Sequence, residues 1–599
     1  MKQKRIVIVG GGYGGVHAAK KLSKKFKNRE NVKITLIDKK PYHTLMTELH
    51  EVAGGRVGPE SVKVSFKKIF GSRNVEFSLD TVTDIDFEKQ RVSGDHCYSY
   101  DYLILGTGAQ PNDFGIKGIK EHAYTLWAMD DAIRIRAHTE RMFIEAAEER
   151  DPKKREEMLT FVIAGAGFTG VEMAGELLER KETLCRQYDI DPEDVKVYVI
   201  EALGEVLPML TAEQQQKAEE YMKKKNAEIL LHSRITEATT DEVHIHTGKV
   251  INTKTLIWTC GVYGTDFGAK LNIEQGHVNR QRANEYMQST SYDNAYIVGD
   301  MIWYLENEKA LPQIVETAVQ TADVAVHNII TEITGKGEKK AFKSNYHGHM
   351  VSIGGRWGLS NNKGIKFNGF MAQAVKHLIN LIHLFGLAGV NAVWGYITHE
   401  FLSIRNKRSI IGGHLAAKVP IYWVAVLRVF LGAKWLWEGI SKIMDGWLVP
   451  GNIFIVQMEG LSGASAGAES ADTVQNLVTP LLSEPLGIYN WIVDTFVMIN
   501  PFFFQVLIVL AEIAIGLAFI GGLFTFLAAL ASIGLCAMLT MGAMAGSEIL
   551  WYTAAAVVML GGAGKGLGLD YWAMPFFKRL WNRTKLAKKT YLYIGEPED

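Results

Sequence analysis

The apolar positions fall into two rhythms that divide the chain. In its first part, short β-branched runs stop at glycine-rich turns and pass into segments with helical spacing. Lys4–Val9 meets Gly10-Gly11-Gly12-Tyr13-Gly14-Gly15, Val16–Leu22 continues as a helix, and Val32–Ile37 supplies the next strand, ending on Asp38. This is a βαβ unit, whose crossover helix makes its two strands parallel. A second copy begins at Thr160–Ala164, turns through Gly165-Ala166-Gly167-Phe168-Thr169-Gly170, enters the helix Val171–Glu179 and closes on Val195–Ile200 and Glu201. Between the copies lie Asp101–Leu105 and a polar helix over Ala128–Arg155, whose charged face is read as solvated. After Tyr296–Val298 come a helix over Ile314–Ile330, a polar link at Lys336–Lys343, and two amphipathic stretches, Ala372–Phe385 and Val390–Leu402.

The second rhythm consists of long apolar runs. Pro420–Lys442, Phe502–Ile520, Leu523–Ala545 and Ile549–Gly564 are each about long enough to cross ~30 Å of hydrocarbon. Asp445–Pro501 reads as an extramembrane excursion, with a Gly/Ser/Ala-rich patch at Leu461–Ala471 and a short interfacial helix at Ile488–Asn500. Four spans put both ends on one side. The flanking bases agree: Arg405, Lys407, Arg408 and Lys418 precede the spans, and Lys578, Arg579, Arg583, Lys585, Lys588 and Lys589 follow them. Both termini are therefore expected in the cytoplasm. Arg428 and Glu512 fall inside spans, where an unpaired charge is costly, so either they are paired within the bundle or they form a functional site.

Composition sharpens this division. The 599 residues carry 65 Lys+Arg and 65 Asp+Glu, a net charge of zero that offers no footprint for nucleic acid. No Lys or Arg lies between Lys442 and Lys565, whereas eight acids do, which leaves 57 acids against all 65 bases elsewhere. Hydrophobic residues at 47% exclude a disordered chain. Cys97, Cys185, Cys260 and Cys536 form no C-x-x-C pair, so a disulfide framework, a zinc site and a dithiol redox centre are not expected, and no metal is. Met1–Arg5 leads straight into the first strand, and no signal peptide is expected.

Gly10, Gly12 and Gly15 fit G-x-G-x-x-G: the first permits the tight turn, the second lets backbone approach a pyrophosphate, and the third lets helix pack on strand. The phosphates then face a helix N-terminus. Asp38 stands where an acid accepts hydrogen bonds from ribose hydroxyls. Gly165, Gly167, Gly170 and Glu201 repeat the constellation, so two dinucleotides are implied. Glu201 would repel a 2′-phosphate, and Ala202, Leu203 and Gly204 supply no Arg to receive one, so NADH is favoured over NADPH.

Both motifs, followed by Ala295-Tyr296-Ile297-Val298-Gly299-Asp300 and joined by Asp101-Tyr102-Leu103-Ile104-Leu105-Gly106-Thr107-Gly108, resemble the two-dinucleotide flavoproteins. Gly167–Leu177 and Ile257–Val262 are most similar to the type II NADH:quinone oxidoreductases, a resemblance that covers roughly residues 1–412. It implies FAD at Gly10, Gly12, Gly15, Asp38, Thr107, Gly108 and Asp300, and NADH at Gly165, Gly167, Gly170, Glu201, Cys260 and Gly261. It also assigns quinone contacts to a helix reading Ala-Gln-x-Ala-x-Gln, which here is Val315-Glu316-Thr317-Ala318-Val319-Gln320, with Glu316 in place of the first Gln. Glu316 and Gln320 share a helix face, and a solvated face is the alternative. Glu172 either answers the helix dipole or relays protons to quinone. Lys376 either lies near the flavin, as in some relatives, or snorkels at a membrane surface. Residues 418–582 resemble the DoxX family, through Leu427-Arg428, Gly439-Ile440-Ser441-Lys442 and Gly521–Thr525.

The expected fold is therefore α/β, with two Rossmann-like domains of the glutathione-reductase type and a C-terminal four-helix transmembrane bundle. Residues 1–115 and 291–340 are expected to bind FAD, 116–290 NADH, 341–412 to form a quinone-site and membrane-surface segment, and 413–599 the DoxX-like part with its insert at 445–501. The expected activity is membrane-bound, non-proton-pumping transfer of a hydride from NADH to FAD and of two electrons to a membrane quinone, menaquinone or ubiquinone, by a homodimer in the respiratory chain. A sulfide- or thiosulfate-linked quinone reductase using the DoxX-like part is the alternative activity, and a DoxX-like part that is only an anchor or assembly module is the alternative for the membrane region.

Overall fold

The computed structural model describes residues 3–402, 421–454 and 480–594. They belong to two compact units: residues 1–417 together with 585–597, and residues 418–584. The last described stretch thus groups with the first unit, apart from the rest of the expected 413–599 region.

Two five-stranded parallel sheets dominate the first unit. The first runs in the order Ala295–Ile297, Tyr102–Leu105, Lys4–Val9, Val32–Asp38, Glu76–Leu79. The second runs Tyr124–Thr125, Thr255–Trp258, Thr160–Ala164, Lys196–Ile200, Ala227–Leu230. Their central strands are buried on both faces, which is why they read as unbroken apolar runs instead of alternating ones. In each sheet the strand leading into a glycine turn lies at the centre, with later strands on both sides. The turn therefore opens at the switch point, where such sheets bind ligands.

The polar helix expected over Ala128–Arg155 is two helices, Met129–Glu148 and Pro152–Leu159. Pro152 has no N–H to continue the first helix and opens the second, which Asp151 caps by accepting from Lys153 N. Beyond the helix Val315–Thr334, a three-stranded antiparallel sheet, Gly348–Ile353, Trp357–Asn362 and Ile365–Asn368, leads into the helix Phe370–Ile397. That helix is interrupted at Ala388 and Gly389, between the two stretches the sequence separates. One side buries Ala372, Gln373 and Lys376, while Leu378, Ile382, Phe385 and Trp394 are exposed.

In the second unit, helices Tyr422–Met444 and Pro501–Gly521 pack through Gly432, Gly439 and Gly516. A Cβ on Gly516 would lie 2.6 Å from Leu436 N, so only glycine admits this approach. Helices Thr525–Met541 and Glu548–Met559 are 17 and 12 residues long, shorter than the runs Leu523–Ala545 and Ile549–Gly564. Among the described residues, the helices long and apolar enough to cross a membrane are Phe370–Leu402 and Pro501–Gly521. Tyr422–Met444 is long enough but carries Arg428, Lys434, Glu438 and Lys442. Arg428 and Glu512 are each partnered, though not by one another. Arg428 donates to the carbonyls of Ala563, Gly566 and Leu567, whereas Glu512 pairs with Lys442 at 2.6 and 2.8 Å. The short helix expected at Ile488–Asn500 is Gly487–Thr495 followed by a turn at Val497–Ile499. The patch Leu461–Ala471 and the bases Arg405, Lys407, Arg408 and Lys418 lie outside the described residues.

Candidate functional site

The two glycine turns share one geometry. Gly10 and Gly165 sit at φ +104° and +97°, where a side chain would be strained. A Cβ on Gly15 would run into the Gly10 carbonyl oxygen, and one on Gly170 into that of Gly165. At Gly12 and Gly167, by contrast, a Cβ would meet nothing within 4 Å. Each turn thus leaves open space at the N-terminus of a long helix, Tyr13–Lys25 or Phe168–Tyr188, where backbone N–H groups have no helical partner.

The two acids also match. Asp38 accepts from Gly11 N at 2.6 Å and from Lys40 N at 2.8 Å, and Glu201 accepts from Ala166 N at 2.7 Å and from Leu203 N at 2.9 Å. Each carboxylate therefore fixes its glycine turn. Thr107 donates from N and Oγ1 to Met301 Sδ, both at 3.3 Å, and the adjacent Gly108, at φ +74°, has open space on its Cβ side. The Asp300 carboxylate accepts no hydrogen bond among the described residues, and burial pushes it up to about 6, offset only in part by Arg280. An open cradle with an unpartnered acid beside it fits a flavin dinucleotide carrying ribityl hydroxyls and phosphates. Cys260 lies beside the second turn, its Sγ 3.3 Å from where a Gly165 Cβ would stand, and burial pushes the thiol up to about 12. This thiol is not poised as a nucleophile. Gly261, at φ +61°, backs onto the Phe114 ring.

Sequence spacing does not reveal the most heavily charged feature of this unit. Lys376 is buried and pairs with Glu51 at 2.7 Å and Glu48 at 3.0 Å, so it does not snorkel. Arg56 binds Glu51, Glu176 at 3.0 Å and Glu400 at 3.1 Å. Glu172 accepts from Ser352 N at 3.3 Å and lies 3.5 Å from His50 Nδ1, while His50 Nε2 meets Ser352 Oγ at 3.2 Å. Five carboxyl groups, on the turn and short helix at 46–53, the second-motif helix and the 398–402 turn, thus surround two cations. Burial pushes Glu172 up to about 8 and also raises Glu48, with Lys376 opposing in both cases. Burial would raise Glu51 as well, but Arg56 and Lys376 hold it well below the carboxylate range. Burial keeps His50 neutral. The cluster therefore favours the protonated form at Glu172 and Glu48 and the carboxylate at Glu51.

Glu316 and Gln320 share one helix face, as their spacing requires, and that face is engaged with the chain. Glu316 accepts from His347 N at 3.0 Å and lies 2.8 Å from its Nδ1, and Gln320 exchanges two 2.9 Å hydrogen bonds with the backbone of Asn345. These bonds leave Gln320 its second Nε2–H and Glu316 further lone pairs for a ligand, but they hold both side chains against residues 345–347.

Residues 4–326 match the family model described as pyridine nucleotide-disulphide oxidoreductase. A protein of Staphylococcus aureus named type II NADH:quinone oxidoreductase is 28% identical over 394 residues, 65% of this chain and 97% of that protein. Its Staphylococcus saprophyticus namesake is 27% identical over the same shares. Among solved structures, NDH2 from Plasmodium falciparum in complex with NADH is similar at a TM-score of 0.61 and 17% identity, covering 67% of this chain and 98% of that one. The sulfide:quinone oxidoreductase of Aquifex aeolicus is similar at 0.54 and 18%, covering 66% and 92%.

Proposed function

The chain belongs to the pyridine nucleotide-disulphide oxidoreductase family, and from that premise we propose that it is a membrane-associated NADH:quinone oxidoreductase. The carrying observation is the duplicated cradle, with Gly12 and Gly167 both facing open space beneath a helix end. Gly10, Gly12, Gly15, Asp38, Thr107, Gly108 and Asp300 would hold FAD, and Gly165, Gly167, Gly170, Glu201, Cys260 and Gly261 would hold NADH. Bound FAD supplies the two-electron step between nicotinamide and quinone. All four cysteines are free, and no pair of them forms a C-x-x-C, so the chain offers no dithiol relay between flavin and acceptor.

Reduction of a quinone by NADH consumes one proton from outside the nicotinamide. Glu172, protonated up to about pH 8, holds such a proton and can pass it on through Ser352 or His50. Lys376 keeps Glu51 ionised beside it, and Glu316 and Gln320 fix residues 345–347 at the edge of the acceptor site. The exposed apolar face of Phe370–Ile397 suits a helix lying in the membrane surface, from which a lipid-soluble acceptor enters. The C-terminal unit is read as a DoxX-like bundle crossing the membrane, with both termini cytoplasmic and the protein dimeric.

Anaerobic titration tests this. NADH should bleach the flavin of the purified protein, and a ubiquinone or menaquinone analogue should restore it. Flavin bleached by sulfide but not by NADH would select the sulfide-linked alternative.

A further inference from the structure

A cavity of about 420 Å³ opens within the first unit, away from both glycine turns. Lys24 and Lys27 line it from the end of the first-motif helix, Arg73 from the turn at 71–74, and Lys585, Lys588 and Lys589 from the C-terminal segment. No carboxylate lines it, and none of the six cations forms an ion pair among the described residues. Six like charges converging without counter-ions repel one another, and a fold keeps such an arrangement at lower cost when an anion occupies it.

The walls are built rather than incidental. Asn74 N donates to Ser23 Oγ at 3.1 Å, the Arg73 guanidinium stacks 5.5 Å from the Tyr591 ring, and Arg73 Nε is buried without a partner. Asn391 Nδ2 donates to the Tyr593 carbonyl, and Tyr591 Cβ lies 3.0 Å from where a Gly389 Cβ would stand. The basic C-terminal segment is thereby seated at the break of the helix Phe370–Ile397, next to the turns that expose Phe385, Val390 and Trp394. The break leaves the Gly386 and Leu387 carbonyls free to accept from Lys20, whose ammonium burial and Arg73 push down to about 8. The positive field thus extends under the apolar face.

A cationic cavity bordering an exposed apolar helix face matches a ligand with a phosphate head and an acyl tail. We propose that this cavity binds the phosphate headgroup of an anionic phospholipid. Its volume suits a phosphodiester with its glycerol better than a lone ion.

The test uses the full-length protein in neutral detergent, titrated with short-chain phosphatidylglycerol, phosphatidylcholine and inorganic pyrophosphate, followed by calorimetry. Phosphatidylglycerol should bind at least tenfold more tightly than phosphatidylcholine. The triple variant Arg73→Gln, Lys588→Gln, Lys589→Gln should lose that preference, while Arg73→Lys with Lys588→Arg and Lys589→Arg should keep most of it. Flavin bleaching by NADH should be unchanged in both variants, which also reports that they fold. Equal binding of the two lipids, or a preference that survives the charge-removing variant, would overturn the proposal. Tight pyrophosphate binding without a phosphatidylglycerol preference would keep phosphate as the chemistry and overturn the lipid.

Discussion

At the scale of single residues, the paired glycines separate folding from binding. Gly15 and Gly170 are needed by the fold itself, since a Cβ collides with backbone. Gly12 and Gly167 face open space, so Gly12→Ala and Gly167→Ala should leave the melting temperature nearly unchanged and intrude only on a ligand. Gly12→Ala should weaken FAD retention at least tenfold, and Gly167→Ala should retain FAD but raise the KM for NADH at least tenfold; flavin content and steady-state rates check both. Glu172 carries a pH prediction. Its carboxyl is raised from 4.5 to about 8 in the fold, so proton binding stabilises the protein. That contribution is complete below about pH 4.5 and lost as pH rises through about 8. Thermal melts across this window should fall more steeply for the wild type than for Glu172→Gln, and quinone reduction should lose its alkaline limb in the variant. If the two pH profiles superpose, Glu172 is not the proton donor. The sequence marks Glu172 by resemblance and its place after the second turn, but its raised affinity for protons comes from burial, reinforced by Glu48 and Glu51, against the opposing pull of Lys376 and Ser352 N, all brought from elsewhere.

At the scale of elements, the helix Phe370–Ile397 inverts the usual pattern, with an apolar face outward and Lys376 buried inward. Replacing Lys376 with Met would strip Glu48 of its cation and leave Glu51 with Arg56 alone, and should cost ~3–5 kcal/mol, whereas Lys376→Arg should keep most of the stability. Denaturant unfolding distinguishes the two. Lys376 stands out in its sequence because a base interrupts an apolar run. Its partners do not: Glu48, Glu51, Arg56, Glu176 and Glu400 are ordinary charged residues until four distant segments meet. The one local hint is Glu48-Leu49-His50-Glu51, three ionisable side chains, all buried, at the start of the short helix Leu49–Ala53.

At the scale of the whole molecule, the described residues up to Leu402 belong to the first unit, those from Ile421 to the second, and those from Lys585 to the first again. Truncation after residue 412 therefore removes Tyr591 and Tyr593 from their seat at Gly71 and Gly389. A chain in which residues 421–584 are replaced by a flexible linker, keeping 585–597, should melt higher than that truncation and keep flavin reduction by NADH. Equal melting of the two would show that the C-terminal segment adds nothing to the first unit. Quinone reduction by the linker form in vesicles then separates an anchoring role of residues 421–584 from a catalytic one.

The sequence alone determined the two nucleotide turns and the apolar runs, because a glycine turn between strand and helix is local geometry and periodicity needs no partner. It also separated the two halves of the helix at residues 388–389, where a glycine at φ +70° interrupts the helix. Only the tertiary structure decided which charges are buried, that Lys376 is a cluster member instead of a surface anchor, that Arg428 and Glu512 take different partners, and that the basic tail lines a cavity. Ionisation and pairing depend on desolvation and on neighbours hundreds of residues away, and neither is written in a local pattern.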